Sequence, residues 1–111
     1  MHRMSKPRTA IALLAAVSLW GGVGAVSAQS SQALNVRSLA ATCANCHGTN
    51  GKAVEGSAVV SLAGMPKDTI VAQMAAFKSG ARSATIMHQI SKGYSDAQVE
   101  QIASYFAAQK K

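Results

Sequence analysis

Cys43, Cys46 and His47 concentrate the reactive side chains of this chain: two thiols three positions apart, with an imidazole directly after the second. Two soft, nucleophilic sulfurs at that spacing, followed by a nitrogen donor, match the attachment pattern of a c-type haem. Each thiol forms a thioether with the macrocycle and the histidine takes the iron. Three residues are about one helical turn, so both sulfurs and the imidazole can reach one ring. Other chemistries fit less well. Zinc wants four protein ligands, and beyond Cys43, Cys46 and His47 the only other imidazoles are His2 and His88. A thioredoxin-like dithiol wants a preceding strand in a βαβ setting, whereas the residues before Cys43 read as helix. The chain has no further cysteine, so the motif uses both.

An iron held by one histidine has a second axial position, and its occupant decides between electron transfer and ligand chemistry. Met65, Met74 and Met87 compete for it. A thioether is neutral and soft, suits both iron oxidation states and raises the potential. Met74 falls on the apolar face of an expected helix and reads as core. Met87 lies eight residues before Ser95, so its loop and short helix can fold over the distal haem face before the last helix closes the domain. Met87 is therefore the expected distal ligand, with Met65 as its rival. Adjacent residues cannot both point at one iron, so His88 reads as a surface histidine. No Ser/His/Asp set, carboxylate pair or phosphate loop occurs, and no catalytic residue is expected: the cofactor carries the chemistry.

The positioning elements occupy residues 29–111, expected as one single-haem domain. Residues 1–28 read as a cleaved secretory signal: Arg3, Lys6 and Arg8 precede an apolar run from Ala10 to Trp20, and Val26, Ser27 and Ala28 are small residues where a signal peptidase cuts. The run is short for a membrane span and is followed by Gly21, Gly22 and Gly24, which argues against a retained anchor. A periplasmic location without stable membrane insertion follows. Removal of the segment leaves Arg37, Lys52, Lys67, Lys78, Arg82, Lys92, Lys110 and Lys111 against Glu55, Asp68, Asp96 and Glu100, a formal charge of +4. That charge is scattered and not interleaved with aromatic residues, which excludes nucleic acid as a partner. It suits steering toward an acidic protein surface. Lys52, Lys67 and Lys92 are candidates for such docking, the alternative being ordinary solvated charge.

Within the domain, an N-terminal helix is expected over 32–46, followed by a glycine-punctuated loop to Met65. Pro66 suits the first turn of a second helix over 67–79, with Gly80 as its stop and Ile70, Val71, Met74 and Phe77 on one face. A short helical patch is expected over 85–92. Ser95 and Gln98 form a capping box that opens a last helix to about Gln109, with Val99, Ile102, Ala103 and Phe106 as its apolar stripe. No strand pattern occurs. The expectation is an all-α fold of three to four helices wrapped around a covalently attached haem. So short a domain has a thin core, and the haem would act as its staple.

The stretch Cys43-Ala44-Asn45-Cys46-His47-Gly48-Thr49-Asn50-Gly51 is similar to the haem segment of small bacterial cytochromes related to cytochromes c4 and c553. Three further motifs resemble the cytochrome subunits of flavocytochrome c sulfide dehydrogenases. They are Ser61-Leu62-Ala63-Gly64, Phe77-Lys78-Ser79-Gly80, and Arg82-Ser83-Ala84-Thr85-Ile86-Met87 with the following Ile90-Ser91-Lys92-Gly93-Tyr94-Ser95-Asp96. Across residues 32–111 the chain thus resembles a class I c-type cytochrome. The resemblance implies one haem c per chain, attached outside the cytoplasm, with the methionine of the Ala-Thr-x-Met stretch, here Met87, as distal ligand. Met65 stands where the family more often has glutamine. The implied role is that of an electron-transfer subunit, not an enzyme, accepting electrons from a flavoprotein that oxidises sulfide. The alternative is a free soluble carrier between respiratory or photosynthetic complexes. A haem enzyme or gas sensor would need an open distal position, which Met87 argues against.

Overall fold

The computed structural model describes residues 23–111, and the greater part of the expected signal segment lies outside the described residues. Helix α1 (Val23–His47) leads into a 3-10 turn at Thr49–Gly51. Helix α2 (Lys67–Ser79) is followed by the one-turn helix α3 (Met87–Ile90), a second 3-10 turn at Ser91–Gly93, and helix α4 (Asp96–Ala107). Among the described residues there is no strand, in agreement with the all-α expectation.

α1 begins well before the expected Gln32, and the polar residues 29–31 are helical. No proline interrupts them, and the hydroxyls of Ser30 and Ser31 donate back to the Ser27 carbonyl at 2.8 and 2.9 Å, keeping these polar groups satisfied inside the helix. None of the described helices is long and apolar enough to cross a membrane. α1 stops at His47 because Gly48 turns the chain at φ 87°, and a Cβ there would lie 2.0 Å from the Lys52 carbonyl oxygen.

α2 has the expected bounds, although Pro66 caps it from outside instead of entering its first turn. Left-handed Gly80 ends it, its N–H bonded to the Phe77 carbonyl. The patch expected over 85–92 contracts to α3 and the 3-10 turn after it. α4 opens on the expected capping box: Ser95 accepts from the Gln98 N–H at 3.2 Å and Gln98 accepts from the Ser95 N–H at 2.9 Å. α4 ends at Ala107, short of Gln109.

The core joins Ala40 of α1, Ile70 and Met74 of α2, and Val99, Ile102, Ala103 and Phe106 of α4. The whole expected stripe of α4 is buried, and α4 packs against both α1 and α2. Phe106 is fully buried, which contributes about 1.5–3 kcal/mol by itself. On α2 Ile70 and Met74 are buried, while Val71 and Phe77 are half-buried.

Candidate haem site

The last turn of α1 carries all three motif residues. Cys43 is half-buried against the core, Cys46 is exposed and His47 is half-buried. Both thiols are free. Burial pushes the Cys43 thiol up, opposed by the Thr42 hydroxyl, so Cys43 is neutral near pH 7.

The Nδ1 of His47 lies 2.7 Å from the Val60 carbonyl oxygen. A carbonyl only accepts, so Nδ1 carries the hydrogen and Nε2 keeps its lone pair for a metal. The loop that supplies this carbonyl has no periodicity of its own and is set by backbone bonds. The Gly51 carbonyl accepts from the Leu62 and Ala63 N–H groups at 2.7 and 3.0 Å and from the Ser61 hydroxyl at 2.9 Å. The Gly64 N–H donates to the Phe106 carbonyl at 2.9 Å, and the Tyr105 hydroxyl donates to Asn50 at 2.8 Å. Gly51 sits at φ 77°, and a Cβ there would lie 2.6 Å from the Phe106 ring, so the loop rests directly on α4.

On the other side, Met87 begins α3 and is half-buried against the core, as are Met65 and Cys43. Met74 lies within the core, as expected of a filler residue. His88 differs from the surface residue expected: it is half-buried, and Nδ1 is covered without a hydrogen-bond partner among the described residues. The one-turn α3 that carries it packs on α2, a tertiary contact that neighbours in sequence do not reveal. Tyr94 and Thr42 share a hydroxyl–hydroxyl hydrogen bond across the domain.

The donors present fit a covalently attached haem. A histidine with its Nε2 lone pair free, two free thiols on the same turn, and two thioethers against the same core form a nitrogen and sulfur set suited to iron in a porphyrin. Val60 and Ile86 leave 58% and 59% of their surface exposed, on the segments that bear the histidine's carbonyl partner and Met87. An apolar macrocycle would cover such surface. Among the described residues no three of His, Cys, Asp or Glu gather to hold a bare metal ion.

Of the three docking lysines, Lys67 is engaged: its ammonium lies 2.6 Å from Glu100, whose hydrogen bond and charge hold the lysine above its usual pKa. Lys78 pairs with Asp96 at 3.4 Å. Lys52 and Lys92 are exposed, and neither joins the ion pairs found among the described residues. Sequence reasoning missed Val60, Thr42 and Tyr94. Val60 acts through its backbone, so no side-chain signal exists, and Thr42 and Tyr94 are too far apart in the chain for any local pattern to pair them.

A family model described as cytochrome c matches residues 35–110. Over 68 residues the chain is 37% identical to the cytochrome subunit of sulfide dehydrogenase of Chlorobaculum tepidum, covering 61% of this chain and 60% of that one. Over 71 residues it is 35% identical to the thiosulfate dehydrogenase electron acceptor of Thiomonas intermedia, covering 64% of this chain and 33% of that one. The matched stretch spans less than two thirds of either relative.

Proposed function

The chain belongs to the cytochrome c family, an electron-transfer protein with covalently bound haem c and not itself an enzyme, and from that premise we propose which residues hold the haem and whom it serves. Cys43 and Cys46 form the two thioether links, His47 binds the iron through Nε2, and Met87 supplies the distal sulfur. The bound haem contributes a one-electron couple between ferric and ferrous iron. The observation that carries the reading is the 2.7 Å contact from His47 Nδ1 to the Val60 carbonyl, which sets the tautomer and orients the ring so that Nε2 is left for iron. Met87, half-buried at the start of α3, offers a neutral, soft donor that suits both oxidation states.

Export of the chain, with cleavage after Ala28, places haem attachment and electron transfer in the periplasm. The electron donor is a separate flavoprotein that oxidises sulfide; the likeness to the Chlorobaculum tepidum subunit supports this. The likeness to an electron acceptor of thiosulfate dehydrogenase favours a second reading, in which the chain is a free carrier serving other redox proteins. Exposed Lys52 and Lys92 steer docking to an acidic partner surface in either case.

Mass spectrometry of the exported chain should find a haem adduct at Cys43 and Cys46 and an N-terminus at Gln29. An unmodified polypeptide would overturn the attachment. Purification from the native host separates the two partner readings: a subunit elutes with a flavin-bearing protein, and a carrier elutes alone.

A further inference from the structure

The segment from Ser83 to Tyr94 carries Met87, and it is held to the rest of the molecule very differently from the loop behind His47. Among the described residues, every backbone-to-backbone hydrogen bond of this segment stays inside it, as in Gln89 and Ile90 to the Ile86 carbonyl and Tyr94 to the Ser91 carbonyl. The Ser91 hydroxyl is likewise spent locally, on the His88 carbonyl at 3.4 Å. Among the described residues, the two hydrogen bonds that leave the segment are both made at Tyr94. Its hydroxyl meets Thr42, and its carbonyl accepts from the Lys78 ammonium at 2.8 Å.

The direction of the hydroxyl bond can be assigned. Thr42 Oγ1 has one hydrogen and lies 2.7 Å from the Leu39 carbonyl, which can only accept, so Thr42 donates there and Tyr94 donates to Thr42. Thr42 immediately precedes Cys43, so the phenol ties the end of the distal segment to the helical turn that bears the thiols. Side-chain packing of Met87 on the core supplements this tie but is non-directional.

We propose that Tyr94 is a positioning residue for the distal ligand, its hydroxyl bond to Thr42 acting as the tether that keeps the Met87 segment closed over the haem. This rests on the reading of Met87 as the distal ligand. Loss of one neutral hydrogen bond between exposed Thr42 and half-buried Tyr94 favours the open form about 5-fold, the equivalent of about 1 kcal/mol.

The test uses the oxidised, haem-loaded chain and imidazole, which binds iron only after the distal sulfur has left it. Tyr94→Phe keeps the ring and removes the tether. It should bind imidazole about 5-fold tighter, and Thr42→Val should match it, with the double variant no tighter than either alone. Ser95→Ala removes the α4 cap at a similar cost in global stability and should leave imidazole affinity unchanged. Unaltered affinity in Tyr94→Phe, or an equal gain in Ser95→Ala, would overturn the tether. Met87→Leu is measured alongside. If it abolishes the near-infrared sulfur-to-iron absorption, the ligand reading stands whatever the tether result. If the absorption persists, the ligand reading and the tether fall together.

Discussion

The two sides of the haem site are built by different means. Behind His47, the loop from Gly48 to Met65 is fixed by backbone hydrogen bonds converging on Gly51 and Phe106, and by a glycine packed against an aromatic ring. Around Met87, the chain from Ser83 to Tyr94 makes its outward hydrogen bonds at one residue. A segment with few such bonds opens at lower free energy than a cross-braced one. On the proposed ligand reading, the histidine side is the rigid wall, and the methionine side is where the iron would become accessible when the site opens.

The contrast can be broken most completely at the link both sides share. Cys43→Ala with Cys46→Ala removes covalent attachment, and the haem-free chain should lack a cooperative thermal transition by circular dichroism, because seven buried side chains form too small a core to stand alone. A sharp transition would show that the helices need no staple. On the distal side, Met87→Leu should abolish the near-infrared absorption and lower the reduction potential, and Met65→Leu should do neither; the opposite pattern would assign the sulfur to Met65.

The rigid wall has its own weak point. Gly51→Ala places a Cβ against the Phe106 ring at a positive φ and should cost about 2–4 kcal/mol in denaturant unfolding, through strain and overpacking together. Ser95→Ala sharpens the comparison from outside both regions: it should cost about 1 kcal/mol through the lost cap of α4 and leave the haem spectrum unchanged. The smallest effect belongs to Lys67 and Glu100. Because the folded protein holds Lys67 above its usual pKa, the pair contributes at pH below the ordinary lysine value and its contribution is lost as pH rises through the raised value. Exposure and salt screen it, so Lys67→Met should lower stability only slightly at neutral pH and flatten the alkaline limb of the stability profile.

How much of this was legible in the sequence varied with the range of the interaction concerned. The α4 stripe, its capping box and the Gly80 stop are set by contacts a few residues apart, and each appears where its spacing predicts. The start of α1 was misplaced because the polar residues 29–31 satisfy their hydroxyls within the helix, and polarity alone does not reveal that. His88 was misread for a different reason: it is half-buried on a helix that packs against α2, and local sequence carries no sign of that tertiary contact.

By itself the sequence determined the chemistry of this protein, since two thiols and an imidazole at helical spacing leave few other uses, and it determined the helices whose apolar periodicity is complete within a dozen residues. Only the tertiary structure decided how the ligands are presented: the carbonyl of Val60 behind His47, the seat of Gly51 on Phe106, and the meeting of Tyr94 with Thr42. Those contacts join residues far apart in the chain through backbone groups and single hydroxyls, and such pairings leave no periodic trace in the order of the amino acids.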